Sequence, residues 1–356
     1  MVKHLRQARL HGADVEAVRR EELLIRAQAG EIKPIQHELR ALMIDQRGDG
    51  QEISEALVNG LIVNNQLDQA FAVIEAWRLS FPKDGHPDYI TGRIAEHQEN
   101  NVKLEAAYRA ALAREPHHRQ ALYRLGRFLL RTKQAEAALV IFQRLSKLNV
   151  GAAAVLGEAE ASFKTGNGQE ASRLLKPLLQ LPRATLDRSL VLVDETPEVI
   201  SVELELGLVE SALGNHAEAL RLLDLALAQD PTNSAARYAR AVELRENNRT
   251  EEAAQELAAV AHNRKLLTEV DLLIDTIHGS KDKKCLEEKL RVGELFMLHG
   301  SRKTGEFWLK QALLVDSHCS KAHELLAGYY LDLSKTRPEF RKLADHHRSS
   351  ASPPPP

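Results

Sequence analysis

The sequence predicts an all-α protein, an α-solenoid of about eight stacked antiparallel helix pairs. Three observations predict it. Residues of similar character recur every 34 positions: Ile74, Tyr108 and Phe142; Trp77, Ala111 and Leu145; Gly92 and Gly126; Pro82 and Pro116; Ala219 and Ala253; Leu223 and Leu257. A unit of that length cannot bury its own apolar face and must stack on its neighbours. Within a period the apolar residues fall at helical spacing rather than alternating. Aromatics make up only 4% while Ala, Leu, Glu and Arg abound, a composition suited to closely packed helices.

The clearest unit runs from Arg119 to about Asn149. Leu122, Leu125, Gly126 and Leu129 fall at i, i+3, i+4 and i+7 and make one apolar stripe. Gly126 costs about 1 kcal/mol of helix propensity relative to Ala, which suggests that the partner helix comes too close there for a Cβ. After a polar break at Thr132 to Gln134, Ala138, Ile141, Phe142 and Leu145 make a second stripe. Two antiparallel helices of about four turns each follow.

A small residue, a Gly eight into the unit, an Ala at about the twentieth place, an aromatic four later and a closing Pro together resemble the tetratricopeptide repeat. Gly92, Tyr108, Ala111 and Pro116 fit this pattern between Gly85 and His118, and Ala70, Ile74, Trp77 and Pro82 fit it in the unit beginning near Gln51. Further on, Gly207, Leu213, Gly214, Ala219, Leu223 and Pro231 match, then Ala253, Leu257 and Val260, then Gly293, Phe296, Leu309 and Ala312, and last Leu326, Ala327 and Tyr330. The resemblance implies a right-handed superhelix in which the first helix of each unit lines a concave groove. It also implies a non-catalytic scaffold for protein–protein interaction.

Taken in order, residues 1–16 read as an orphan half-repeat, because His4 to Leu10 looks like a second helix without a first. Such a start suggests a truncated chain or an edge that a partner covers. Residues 17–183 form a first stack. The phase then slips at 184–196, an insertion read as a loop or one extra helical turn, and Thr196, Pro197 and Glu198 restart a helix as cap, first-turn proline and acidic first turn. A second stack covers 197–263. Residues 264–284 read as an unpaired linker helix carrying Leu267, Val270, Leu273, Ile274 and Ile277, and 285–348 hold the C-terminal units. The tail, 349–356, is SSASPPPP from Ser349 and reads as disordered.

Composition and motifs exclude much. Lys plus Arg number 48 against 50 Asp plus Glu, so no global charge argues for nucleic acid or a membrane surface. No apolar window spans a bilayer and the start lacks a signal-peptide core, so the expected location is cytoplasmic with no direct membrane contact. An upstream anchor would be invisible, which leaves an alternative: the regulatory or substrate-presenting region of a larger, membrane-anchored or enzymatic protein. Cys285 and Cys319 stand 34 apart, at equivalent places in successive units, and read as free thiols. The adjacent pairs His117-His118, His346-His347 and His318-Cys319 point to different sides of a helix rather than to one ion. No zinc, phosphate-loop, nucleophile-elbow or dinucleotide motif occurs. Neither catalysis nor a cofactor is expected.

On the polar side of the first helices, Gln120, Tyr123, Arg124, Arg127 and Arg131 stand together, and the preceding unit supplies Tyr89 and Arg93, the equivalents of Tyr123 and Arg127. Lys164 takes the place matching Arg131 in the following unit. Arginine forks bind carboxylates bidentately, and tyrosines offer flat contact area at low entropic cost. The expected ligand is therefore another protein, through an extended acidic segment or a C-terminal carboxylate. A solvated helix face is the competing reading. Single-stranded RNA would need readers in nearly every unit, and only about three carry the positive charge. The known carboxylate-clamp pattern is also missing, because Glu55 and Ile90 stand where Lys and Asn are expected.

Overall fold

The computed structural model describes residues 14–44, 50–195, 201–280, 284–335 and 338–351, and among them there is helix and no strand. The chain is an all-α solenoid of helix pairs. Its contacts group into two units, 1–133 and 134–356, each described by itself.

The first unit holds, in order, α1 (Val15–Gln28), α2 (Ile32–Ile44), α3 (Gly50–Val63), α4 (Leu67–Ser80), α5 (His86–His97), α6 (Asn101–Arg114) and α7 (Arg119–Arg131). Neighbours pack as pairs, α3 on α4 and α5 on α6, and each pair stacks on the next through α4 on α5 and α6 on α7. Leu23, Leu24, Ala27, Ile35, Leu39, Ile53 and Ala56 form a core at the start of this unit. Burying each large apolar side chain contributes roughly 1.5–3 kcal/mol. At Gly92, the repeat equivalent of Gly126, a Cβ would overlap the ring of Tyr108.

One turn between successive helices repeats with the sequence. Asn65, Glu99 and Lys133 all adopt left-handed φ, at 56°, 54° and 60°. After α5, the Asn100 N–H bonds the Ala95 carbonyl and the Glu99 N–H bonds the Glu96 carbonyl, the two hydrogen bonds of a Schellman C-cap. A side chain in this conformation costs roughly 1–2 kcal/mol, and glycine does not incur that cost. Glu99→Gly is therefore expected to raise unfolding stability by about 0.5–1 kcal/mol, read from urea denaturation; an unchanged or lower value would contradict the strain. Asn100 then caps α6, its Oδ1 accepting from the Lys103 N–H at 3.0 Å.

The second unit holds α8 (Ala135–Ser146), α9 (Ala152–Lys164), α10 (Gly168–Leu175), a 3-10 turn (Lys176–Gln180), α11 (Arg183–Val191), α12 (Val202–Ala212), α13 (His216–Gln229), α14 (Ser234–Glu246), α15 (Thr250–Gly279), α16 (Leu286–His299), α17 (Arg302–Val315), α18 (Ser320–Leu333) and α19 (Arg341–Ala351). Pairing continues, α8 on α9, α12 on α13, α14 on α15, α16 on α17 and α18 on α19. Ser201, Asn233 and Ser301 cap α12, α14 and α17. The glycine-rich stretch Lys164 to Glu170 is the tight connection expected, with Gly166 at φ +88° between α9 and α10.

Three segments differ from the sequence-based expectation. Residues 183–191, placed in a loop or single turn, are a nine-residue helix. Leu186, Leu190 and Val193 are buried, and Ser189 Oγ accepts from the Ala153 N–H at 3.0 Å, so α11 is held against α9. The linker helix read over 264–284 is not separate: residues 264–279 are the second half of the 30-residue α15, roughly 45 Å long. Nothing between Thr250 and His278 is Gly or Pro, so the phase slip lengthens a helix instead of opening a loop. Nor is that half unpaired, because Val270, Leu266, Leu267, Leu273, Ile274 and Ile277 pack with Val292, Leu295, Phe296 and Trp308. Helix α19 reaches Ala351, into the segment read as a tail. The half-repeat at 1–16, apart from its last three residues, and the restart at Thr196 to Glu198 lie outside the described residues. Cys285 and Cys319 are both half-buried and are not joined in a disulfide.

Candidate peptide-binding site

The predicted contact residues stand on α5 and α7 of the first unit, with Lys164 on α9 of the second. Helix α7 carries Arg119, Arg124, Arg127 and Arg131 and no acidic residue. Its apolar residues, Leu122, Leu125, Phe128 and Leu129 among them, are buried. That burial fixes the rotation of the helix and so the side to which its arginines project.

Arg93 and Arg124 converge on one carboxylate. Glu96 Oε2 lies 3.6 Å from Arg93 Nε, and Glu96 Oε1 lies 3.9 Å from an Arg124 terminal nitrogen. Tyr108 donates its hydroxyl hydrogen to Glu96 Oε2 at 3.2 Å from α6. Burial, and then the negative charge of Glu96, push the Tyr108 hydroxyl far above the ordinary tyrosine range, so it stays a donor. Arg93 also donates to the Tyr89 hydroxyl at 3.1 Å and lies over the Tyr89 ring at 6.0 Å. Arg131 is exposed; it donates to Asn101 Oδ1 at 3.2 Å and sits 5.6 Å from the Phe128 ring centroid. Arg127 is half-buried.

The tyrosines are placed otherwise than expected. Tyr89 is 4% exposed and Tyr123 1% exposed, so neither offers a ring face to a ligand. Tyr89 stacks on Tyr108 with centroids 6.0 Å apart and packs against His86 and His118. Helix α5 has α4 on one side and α6 on the other, so a residue one step off its apolar stripe is still covered. Lys164 is exposed and pairs with Glu160 at 3.6 Å in the second unit. The structure brings Arg93 and Arg124 together around Glu96, a residue the sequence reading did not single out. Its only sequence signal is its place three after Arg93.

The α5 framework beneath the site is ionic. Asp88 is buried between Arg78 of α4 and Arg114 of α6, at 2.6 and 2.8 Å. Among the described residues, no group of three or more His, Cys, Asp or Glu is placed to hold a metal ion. Nor is any described helix long and apolar enough to cross a membrane.

Residues 105–153 and 211–268 match the tetratricopeptide repeat family. Among solved structures, the chain is similar to a tetratricopeptide repeat protein from Parabacteroides merdae, at 16% identity over 78% of this chain and 98% of that one, with a TM-score of 0.43. PilW, a widely conserved type IV pilus biogenesis factor, is 18% identical over 60% of this chain and 93% of its own, with a TM-score of 0.47. MamA is 17% identical over 50% and 96%, at 0.38. No curated protein sequence matches. The 34-residue period and the Gly92–Tyr108 approach agree with the matched stretches, so the chain carries tetratricopeptide repeats.

Proposed function

We propose that this chain is an interaction scaffold whose first unit binds an extended acidic segment of another protein along Arg93, Arg124, Arg127 and Arg131. The observation that carries this reading is the composition of α7, four arginines and no acid, in a chain of net charge −2. Glu96 supports it further. A carboxylate already sits between Arg93 and Arg124, in keeping with a preference for acidic groups. A ligand carboxylate beside Arg124 and Arg127 would make charge-assisted bonds of the same kind.

Binding of this type is local and salt-sensitive, since the Debye length shrinks from about 10 Å at 0.1 M to about 3 Å at 1 M salt. The test is fluorescence anisotropy with a labelled aspartate-rich decapeptide and its asparagine counterpart. The aspartate peptide is expected to bind, and the Arg124→Glu, Arg127→Glu, Arg131→Glu variant to bind it at least about 10-fold more weakly, from one to two lost charged bonds of roughly 1.5–3 kcal/mol each. Equal binding of both peptides, or of both proteins, would make these arginines a solvated face.

A further inference from the structure

Helix α7 starts on a buried histidine. His118 is 4% exposed, and its Nδ1 accepts from the Ala121 backbone N–H at 3.2 Å, which makes it the N-cap. A ring nitrogen that accepts carries no hydrogen, so the proton of neutral His118 is on Nε2. That N–H faces His86 Nδ1 at 3.1 Å, and it fixes the His86 tautomer in turn. His86 Nε2 then carries a hydrogen and lies 3.4 Å from Glu55 Oε1. Glu55, His86 and His118 belong to α3, the start of α5 and the cap of α7, so one directed chain links three successive first helices.

An added proton has no place in this chain. On His118 it would sit at Nδ1, against the Ala121 N–H. On His86 it would also sit at Nδ1, against the His118 N–H. Either position removes one link. The surroundings are Trp77 of α4, 5.8 Å from the His86 ring, and Tyr89 of α5, within 5.3 Å of both rings. Asp84, in the turn before α5, accepts from the His86 and Trp77 N–H groups. Glu115, after α6, accepts from the Gly85 N–H at 3.3 Å, and His117 and Arg119 flank the cap in sequence. Burial, and then His86, hold His118 down at about 4 against the opposing pull of Asp84.

We propose that the His86–His118 pair is an acid-sensitive clasp on the first turn of α7, so that protonation loosens the helix that carries Arg124 and Arg127. As a regulator of binding the clasp rests on the peptide reading above; as a property of the helix it does not. An opened turn with an ordinary histidine would gain protons below pH 6.5 that the closed turn refuses until about 4. Between pH 7 and pH 5 the opening constant should therefore rise about twenty-fold.

The experiment is hydrogen exchange on the full chain, at pH 7.0 and 5.0, corrected for intrinsic rates and read at Ala121 to Leu125. The wild type should lose about twenty-fold protection there. His118→Asn, which caps without titrating, should lose less than about two-fold. Unchanged wild-type protection, or an equal loss in His118→Asn, would overturn the clasp. Because that variant could fold poorly, nitrogen-15 spectra of the wild-type imidazoles at pH 7.0 give a second reading. Nδ1 of both histidines should be unprotonated, and a protonated Nδ1 on either would overturn the clasp. Separately, failure of the aspartate-rich decapeptide to bind at pH 7.0 would remove the peptide reading and leave the exchange result to decide the clasp.

Discussion

Replacing Asp88 with Ala is expected to cost about 3 kcal/mol of unfolding stability, the largest effect of any single substitution considered. Its carboxylate side chain is 7% exposed and bridges Arg78 of α4 at 2.6 Å and Arg114 of α6 at 2.8 Å. Burying such a cluster does not by itself stabilise a fold, because desolvation offsets the Coulomb gain. Removing Asp88 is different, since two guanidinium groups then lose the carboxylate they share within packed surroundings. The cost falls at the low end of the usual 3–5 kcal/mol because both arginines keep other partners. Arg78 pairs with Glu75 and donates to Thr91 Oγ1, and Arg114 donates to the Pro82 carbonyl. Asp88→Asn keeps the shape and one acceptor, and about half the loss is expected. Urea denaturation followed by circular dichroism measures both. A loss under about 1 kcal/mol for the alanine variant would mean that the bridge does not tie α4, α5 and α6 together.

Acid should destabilise both units well before their carboxylates titrate. His118 in the first unit and His347 in the second are each held down at about 4. For His347 burial comes first, then the charges His323, His346 and Lys310 would present, with Glu306 opposing. His323 and His347 meet at 2.8 Å between their Nδ1 atoms, and His323 Nε2 lies 3.1 Å from the Ser317 carbonyl. That carbonyl can only accept, so His323 donates to it and accepts from His347 Nδ1–H. In the unfolded chain a histidine binds its proton near 6.5. Between pH 6.5 and 4 the unfolded state therefore holds more protons than the fold, and stability falls as pH falls. The stability is fully present above 6.5, and the gap corresponds to a loss of about 3 kcal/mol per histidine by pH 4.

Glu306 does not confuse this window. Burial raises it, but hydrogen bonds from Lys310, Tyr330 and Lys303 outweigh burial and hold it at about 2. Its contribution is present above about 4.5 and lost only below that pH. His347→Phe, which can keep a ring on Tyr330, should flatten the second unit's dependence between pH 6.5 and 4. If the unfolding free energy of the wild type is level across that window, the two histidines are not held neutral.

How much of this could be read from the chain follows from where each signal is local. The period was visible because each pair buries the same positions: the apolar stripes over Leu122 to Leu129 and Ala138 to Leu145 correspond to α7 and α8. Gly92 was visible through its place 34 residues before Gly126, since a helix interior tolerates glycine only where something else needs the space. The phase slips were visible, but their form was not. A slip can open a loop or lengthen a helix, and for α15 the choice rests on packing of Val270 against Val292 and Leu295, far along the chain.

The site was legible in part for the same reason. Arg124, Arg127 and Arg131 are polar at helical spacing, so their shared side follows from the sequence. Tyr89 and Tyr123 were misread because amphipathicity describes one helix, while burial in a stacked array also depends on the helices on either side. Glu96 escaped because its meeting with Arg124 spans α5 and α7. The clasp escaped because histidine is a rare N-cap and its partner stands 32 residues away.

The central claim is that the α7 arginines recognise carboxylates, and a charge exchange tests it most directly. Anisotropy titrations would pair the wild type and the Arg124→Glu, Arg127→Glu, Arg131→Glu variant with an aspartate-rich decapeptide and its lysine-substituted twin. The account predicts that each protein prefers the peptide of opposite charge, so that the lysine peptide restores the affinity the variant lost. A variant that binds neither peptide while keeping the wild-type helical circular dichroism would contradict it, as would one that still prefers the aspartate peptide.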